Sequence, residues 1–232
     1  MKSQPYLCGS GYHREKHLGG RDEFFPIWMR NLQKLTPLPQ QLIIIADTGA
    51  RPPMDDLSAA PPFPVTVIPL TGDLGNAHAL LHGIKPHKFS GWTGAVCAAA
   101  MIAYCDELDF IFVEQDVLSV GDVIGRMYEE IGDAGIIYGK CDWMPAEQSL
   151  FLVRHFYIPE FVRLFLSQGR QNVEENLGEH LFLKMTHENP TMWYQFSMQF
   201  GRNRPINFDE PVWYAQKFTP EELQELKRRN LI

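Results

Sequence analysis

The sequence predicts a single α/β domain in which a mostly parallel central sheet is flanked by helices, and three observations predict it. Short apolar runs alternate with helical patterns through the first 140 residues, the strand coming first in each unit. Several of those runs, QLIIIA at 41–46 above all, are apolar at nearly every position, as buried strands are. The chain has 232 residues, 45% hydrophobic and 21% charged, enough for one domain with a real core.

The elements follow in order. PYLCG (5–9) reads as the first strand, residues 22–35 as an amphipathic helix, and QLIIIA (41–46) and VTVIPL (65–70) as two further strands. A short helix is expected in NAHALLHGI (76–84). Residues 92–107, rich in alanine and poor in charge, suit a helix packed tightly on the sheet. DFIFVE (109–114) is the central strand. Beyond it DVIGRMYEEI (122–131) reads as a short helix, AGIIYG (134–139) and QSLFLV (148–153) as strands, and IPEFVRLFLSQ (158–168) as a helix with Pro159 in its first turn. Residues 173–186 form another helical candidate. In TPEELQELKRRN (219–230), Thr219, Pro220 and Glu222 supply an N-cap, a first-turn proline and a capping box.

Charge and composition exclude some roles. A formal net charge of −7, with no long Lys/Arg block, argues against a protein held on nucleic acid or membrane surfaces by bulk electrostatics. The start lacks the apolar core of a signal peptide, and no window approaches the roughly 18 apolar residues of a spanning helix, so a soluble cytoplasmic protein is expected. Cys8, Cys97, Cys105 and Cys141 are scattered without a C-x-x-C pair, which suggests neither a zinc ribbon nor a disulfide framework.

In an open parallel sheet, ligands bind beyond the carboxyl ends of the strands. Polar residues just past apolar runs are therefore the candidates: Gly9, Ser10 and Gly11 after the first strand, Asp47 after LIIIA, Thr71 to Asn76 after VTVIPL, and Glu114 and Asp116 after FIFV. In an extended strand residues two apart share a side, so Glu114 and Asp116 would face one ligand if the backbone stays extended through Gln115. Two carboxylates so close repel, and magnesium or manganese relieves that repulsion while keeping water and substrate phosphates as further ligands. A solvated loop start is the competing reading of the pair.

The series LIIIADTGA, VIPLTGDLGNAHAL and DFIFVEQDVLSVG resembles the nucleotide-sugar-dependent glycosyltransferases of the GT-A fold. The resemblance covers roughly residues 4–121. It implies a single GT-A-like (Rossmann-like) domain, with a nucleotide-sugar-binding part in 1–121 and an acceptor-binding part in 122–232. It places Asp47 near the base or ribose, Asp73 in the nucleoside pocket, and Glu114 and Asp116 at a Mn²⁺ or Mg²⁺ ion on the sugar-nucleotide diphosphate. Glu114 departs from the family's D-x-D pattern, which makes Asp116 the stronger metal ligand.

Such transfer needs the leaving diphosphate neutralised and, where configuration inverts, a base for the acceptor hydroxyl. Arg202 and Arg204, with Lys184 and Arg51 behind them, are candidates for phosphate oxygens; surface ion pairing is the alternative. In NVEENLGEHLFLKM, Val173, Leu177, Leu181 and Met185 define an apolar arc that includes Glu174, so Glu174 or Glu175 is the candidate base, against a helix-dipole role. His78 and His82 share a helical spacing but lack a third metal ligand. Trp92, Trp143, Trp193, Tyr194 and Trp213 either stack on sugar rings or pack in the core.

The expected substrates are a nucleoside-diphosphate sugar and a glycan or other hydroxyl acceptor, without nucleic acid and with oligomeric state open. Two alternatives stand beside transfer. A sugar nucleotidyltransferase would use Gly9, Gly11, Arg14 and Lys16 on a triphosphate, and a non-catalytic module would bind nucleotide or glycan without turnover. The aspartic-protease likeness of IIIADTGA fails for want of a second D-[TS]-G.

Overall fold

A computed structural model describes residues 5–12, 21–46, 51–70, 91–141, 144–168, 178–199 and 204–232. The elements are β1 (Tyr6–Tyr12), α1 (Arg21–Leu32), β2 (Gln41–Ala46), β3 (Val65–Pro69), α2 (Gly91–Cys105), β4 (Asp109–Val113), β5 (Val117–Val120), α3 (Val123–Glu130), β6 (Ile136–Cys141), β7 (Met144–Val153), α4 (Ile158–Gln168), α5 (Gly178–Glu188), β8 (Trp193–Gln199), β9 (Trp213–Gln216) and α6 (Pro220–Arg228).

Seven strands form one sheet in the order β3-β2-β1-β4-β7-β6-β8, and β5 and β9 form a second, two-stranded sheet. β3, β2, β1 and β4 run parallel; β7 is antiparallel to both β4 and β6, and β8 is parallel to β6. The mostly parallel α/β domain expected from the sequence is the one observed.

Strand alternation sorts the side chains into two cores. Tyr6, Cys8, Leu42, Ile44, Ile111 and Val113 face the layer that holds α1, α3, α6 and the small sheet. Leu7, Ile43, Ile45, Phe110, Phe112 and Phe151 face α2, α4 and α5. Because β1, β2 and β4 are covered on both sides, they are apolar at almost every position. These three strands form a platform covered on both faces, and its carboxyl edge is where the chain places polar groups.

Local signals set several boundaries. Thr219 caps α6: its hydroxyl accepts from Glu222 N (3.2 Å), and the Glu222 carboxylate accepts from Thr219 N (2.9 Å). At the other end of α6, Arg228 and Arg229 hold the Glu225 carboxyl down to about 2. Asp122 caps α3 by accepting from Gly125 N at 2.8 Å. α4 spans the residues its sequence predicts, with Pro159 in the first turn.

Three expectations change. Gly9, Ser10 and Gly11 lie inside β1 and not beyond it, since the strand continues to Tyr12 in register with β2. β5, β8 and β9 are strands that the sequence reading did not include. The helix expected at 173–186 runs on to Glu188: its described part is Gly178–Glu188, with Leu181 and Met185 buried as its arc requires, and 173–177 lie outside the described residues. The short helix expected at 76–84 lies outside the described residues. Among the described residues no helix is long and apolar enough to cross a membrane.

Candidate active site

The carboxylate motif sits where β4 ends in the middle of the sheet. There the strand does not stay extended: Val117 N donates to Glu114 O (3.0 Å), so 114–117 is a turn that sends the chain into β5. The expected strand-like pairing of Glu114 with Asp116 is therefore replaced by two partly exposed carboxylates on a turn. Gln115 between them is buried. Glu114 N donates to Ser149 O (2.8 Å), which ties the start of the turn to β7.

Ser10 fixes the turn from the other side. Its fully buried hydroxyl donates to Val113 O at 2.6 Å, the last carbonyl of β4 before Glu114. Gly9 has a different job. A Cβ there would stand 2.5 Å from Phe110 Cε2 and 2.9 Å from Ala99 Cβ, so the missing side chain lets α2 lie close on β1 and β4. Gly9, proposed from sequence as a substrate contact, is accounted for by packing.

A buried carboxylate that sequence reading missed lies next to the motif. Alternation along β7 from Phe151 and Val153 would point Glu147 toward α5, but Tyr138 pairs with Phe151 while Gly139 pairs with Glu147, where regular register would give Leu150. Those three extra residues, an odd number, turn Glu147 to the opposite face. There Glu147 is fully buried and accepts from Gln216 Nε2 at 3.0 Å. Gly139 makes room: a Cβ on it would collide with the Tyr214 hydroxyl.

Buried polar groups concentrate at this edge. Nine polar or charged residues are buried among those described, and six of them belong to the turn or to strand segments tied to it: Gln115 within it, Ser10 bonded to Val113 O, Gln216 paired with Val117, and Glu147, Gln148 and Ser149 on the stretch of β7 that bonds Glu114 N and Gln216. Gln148 Oε1, Ser149 Oγ and Gln216 Oε1 have no hydrogen-bond partner among the described residues. An interior normally pairs such atoms, so their grouping marks a place built for polar contacts. The signal available in the sequence is the polar run Glu147-Gln148-Ser149 ahead of an apolar stretch, of which the expected strand at 148–153 takes in Gln148 and Ser149 but not Glu147.

The small sheet is held in place by two side chains. Asn31, on α1, donates to Ser119 O (2.7 Å) and accepts from Ser119 N (2.8 Å), so its amide acts as a neighbouring strand for β5. Arg204 donates to Gln216 O (2.7 Å) and Lys217 O (3.1 Å) and pairs with Glu222 at 2.6 Å. The guanidinium proposed as a phosphate contact is thus engaged in clamping β9 to α6.

Other candidates separate by position. Trp92, Trp193 and Trp213 are packing residues: Trp92 lies among Phe112, Phe151, Phe165 and Phe182, Trp193 against Phe182 at 5.1 Å, and Trp213 against Phe208 at 5.7 Å. Tyr194 is half-exposed on β8 and Lys184 lies exposed beside Glu188 on α5. Asp47, Asp73, Asn76, His78, His82, Trp143, Glu174, Glu175 and Arg202 lie outside the described residues. Asp47 immediately follows β2, and Asp73 comes four residues after β3. Among the described residues no three His, Cys, Asp or Glu side chains converge to form a metal cage.

The fold as a whole has counterparts in solved structures. Mouse xyloside xylosyltransferase 1 (apo form) superposes with a TM-score of 0.56 over 94% of this chain and 98% of its own, at 9% identity. The chain has a GT-A-type fold. A glycosyltransferase involved in the glycosylation of the major capsid of PBCV-1 matches with a TM-score of 0.52 at 11% identity, over 98% of this chain and 100% of that one. HddC from Yersinia pseudotuberculosis matches with 0.54 at 11%, again over 98% and 100%. No family model and no curated protein sequence matches the chain. The GT-A-type match spans both the parallel half of the sheet and the half that carries Glu147.

Proposed function

We propose that the protein transfers a sugar from a nucleoside-diphosphate sugar to a hydroxyl acceptor, in glycan or cell-surface polysaccharide synthesis. The observation that carries this reading is the grouping of buried polar side chains around the Glu114–Val117 turn, at the carboxyl edge of a GT-A-type sheet. Two of the similar structures are of glycosyltransferases, which supports the reaction class.

Residues 1–121 bind the nucleotide part and 122–232 the acceptor. Asp47 and Asp73, each just beyond a strand parallel to β1, are assigned to the nucleoside. The donor chemistry suits Mg²⁺ or Mn²⁺: Asp116 and Glu114 offer hard oxygens on a partly exposed turn, and such cations keep water and substrate phosphate oxygens as further ligands. Asp116 and Glu114 would hold such a cation, which would supply positive charge against a departing diphosphate. Ser10 holds the carbonyl from which the turn departs. Glu174 or Glu175 is assigned as the base that takes the acceptor's proton if configuration inverts. A cytoplasmic site of action suits the free thiols Cys8, Cys97 and Cys105.

The test is a thermal-shift panel of nucleoside-diphosphate sugars with and without Mn²⁺. One donor should stabilise the protein in a metal-dependent way, by about 2.7 kcal/mol at a hundredfold excess over Kd. Asp116→Asn should abolish that gain. No shift by any donor would overturn the proposal, and release of pyrophosphate from a nucleoside triphosphate and a sugar phosphate would reassign the protein as a nucleotidyltransferase.

A further inference from the structure

We infer that Glu147 is a positioning residue, acting through Gln216 to set the place of the carboxylate turn. Where that turn is taken as a cation site, the inference rests on the function proposed above; the positioning itself does not.

The path is short and continuous. Asp116 is followed at once by Val117, and Val117 is the β5 residue paired with Gln216 of β9. The Gln216 side chain donates to the Glu147 carboxylate at 3.0 Å, while its backbone carbonyl accepts from Arg204 at 2.7 Å. Glu147 belongs to the large sheet, and two residues further along the same strand Ser149 O accepts from Glu114 N. β7 therefore grips both ends of the turn: the Glu114 end directly, and the Val117 end through Gln216. A two-stranded sheet has little stability of its own, so β5 takes its position from such attachments.

Burial of the bridge supports a specific role. Glu147 and Gln216 are both fully buried, and a carboxylate is seldom taken out of water without a partner or a task. The chain also deforms to deliver it. The register shift at Gly139 reverses the face of Glu147, and Gly139 itself leaves space for Tyr214, the residue two before Gln216. Bulges that re-aim one side chain beside a site are a recurrent device.

Hydrogen exchange on the full chain tests this, with Glu147→Met, Glu147→Gln, Gln216→Met and the double Met variant. Either Met substitution should speed exchange in peptides covering 114–120 by about tenfold, the effect of losing one buried hydrogen bond, while peptides covering β2 keep wild-type rates. The double Met variant should be no faster than either single one, because both break the same bridge. Glu147→Gln keeps a carbonyl oxygen to accept from Gln216 and should restore protection.

Mn²⁺ binding, read by electron paramagnetic resonance, provides a second arm: the Met variants should bind about tenfold more weakly and Glu147→Gln near the wild-type level. Unchanged exchange at 114–120, or equal acceleration in β2, overturns the inference; if Glu147→Met does not fold, Gln216→Met decides alone. Localised acceleration in a protein whose wild type does not bind Mn²⁺ upholds the positioning of the turn and removes the metal from the proposed function.

Discussion

Replacing Gly9 with alanine separates a packing role from a ligand role. The added Cβ would lie 2.5 Å and 3.0 Å from two carbons of the Phe110 ring and 2.9 Å from Ala99 Cβ. Carbon atoms rest at about 3.5–4.0 Å, so the neighbours must retreat by roughly an ångström. Neither can do so freely. Phe110 is fully buried, with Phe151 6.0 Å and Phe112 6.4 Å from its ring centroid, and Ala99 is on the buried face of α2. Overpacking of this kind costs about 1–3 kcal/mol, and both neighbours being fixed favours the upper half. Gly9 has no left-handed backbone, so alanine regains about 0.5 kcal/mol by restricting the unfolded chain.

The expected net loss for Gly9→Ala is about 2 kcal/mol, a fall in Tm of roughly 4–8 °C for a domain of this size. Urea denaturation should show an earlier midpoint with an unchanged slope. Adding Phe110→Leu opens space beneath the new methyl, and the double variant should be more stable than the two single losses summed predict. A Gly9→Ala protein within about 0.5 kcal/mol of wild type that binds nucleotide or Mn²⁺ poorly would refute the packing argument and return Gly9 to the ligand.

Two further predictions use other buried groups. Asn31→Leu removes both hydrogen bonds to the Ser119 backbone and should cost about 2 kcal/mol in urea denaturation, with a change under about 0.5 kcal/mol contradicting the role of that amide. Burial pushes the Cys8 and Cys97 thiols up to about 12, so their thiolate fraction at pH 8 is small; iodoacetamide followed by peptide mapping should label exposed Cys105 and leave Cys8 and Cys97 unmodified until the protein unfolds.

What the sequence revealed follows physical range. α6 was readable because its cap, proline and capping box are neighbours in the chain, and α4 because its apolar period and Pro159 are local. β2 and β4 were readable because double-sided burial leaves a continuous apolar run. β5 and β9 were not: each has four residues, and they pair across about a hundred positions, so neither segment announces the other.

The site was legible to the same degree. Glu114 and Asp116 stood out as carboxylates after an apolar run, but the turn between them depends on where β5 must go, which is a tertiary matter. Gly9 and Gly11 imitate a turn in the sequence while lying in a strand, because the demand for a glycine at position 9 comes from a helix ninety residues away. Glu147 was hidden for a related reason. Its face is decided by a register shift against β6 that alternation cannot foresee.

The side-chain amide of Asn31 occupies the N–H and C=O of Ser119 on β5, and β3, one of the two edge strands of the large sheet, is preceded by Pro64 and ends in Pro69, which has no N–H to give. Unfilled strand edges recruit other chains, and both devices deny them a template. Loss of Asn31 would therefore show itself in two ways: as a less stable monomer, and as a concentration-dependent tendency of the folded protein to polymerise through β5.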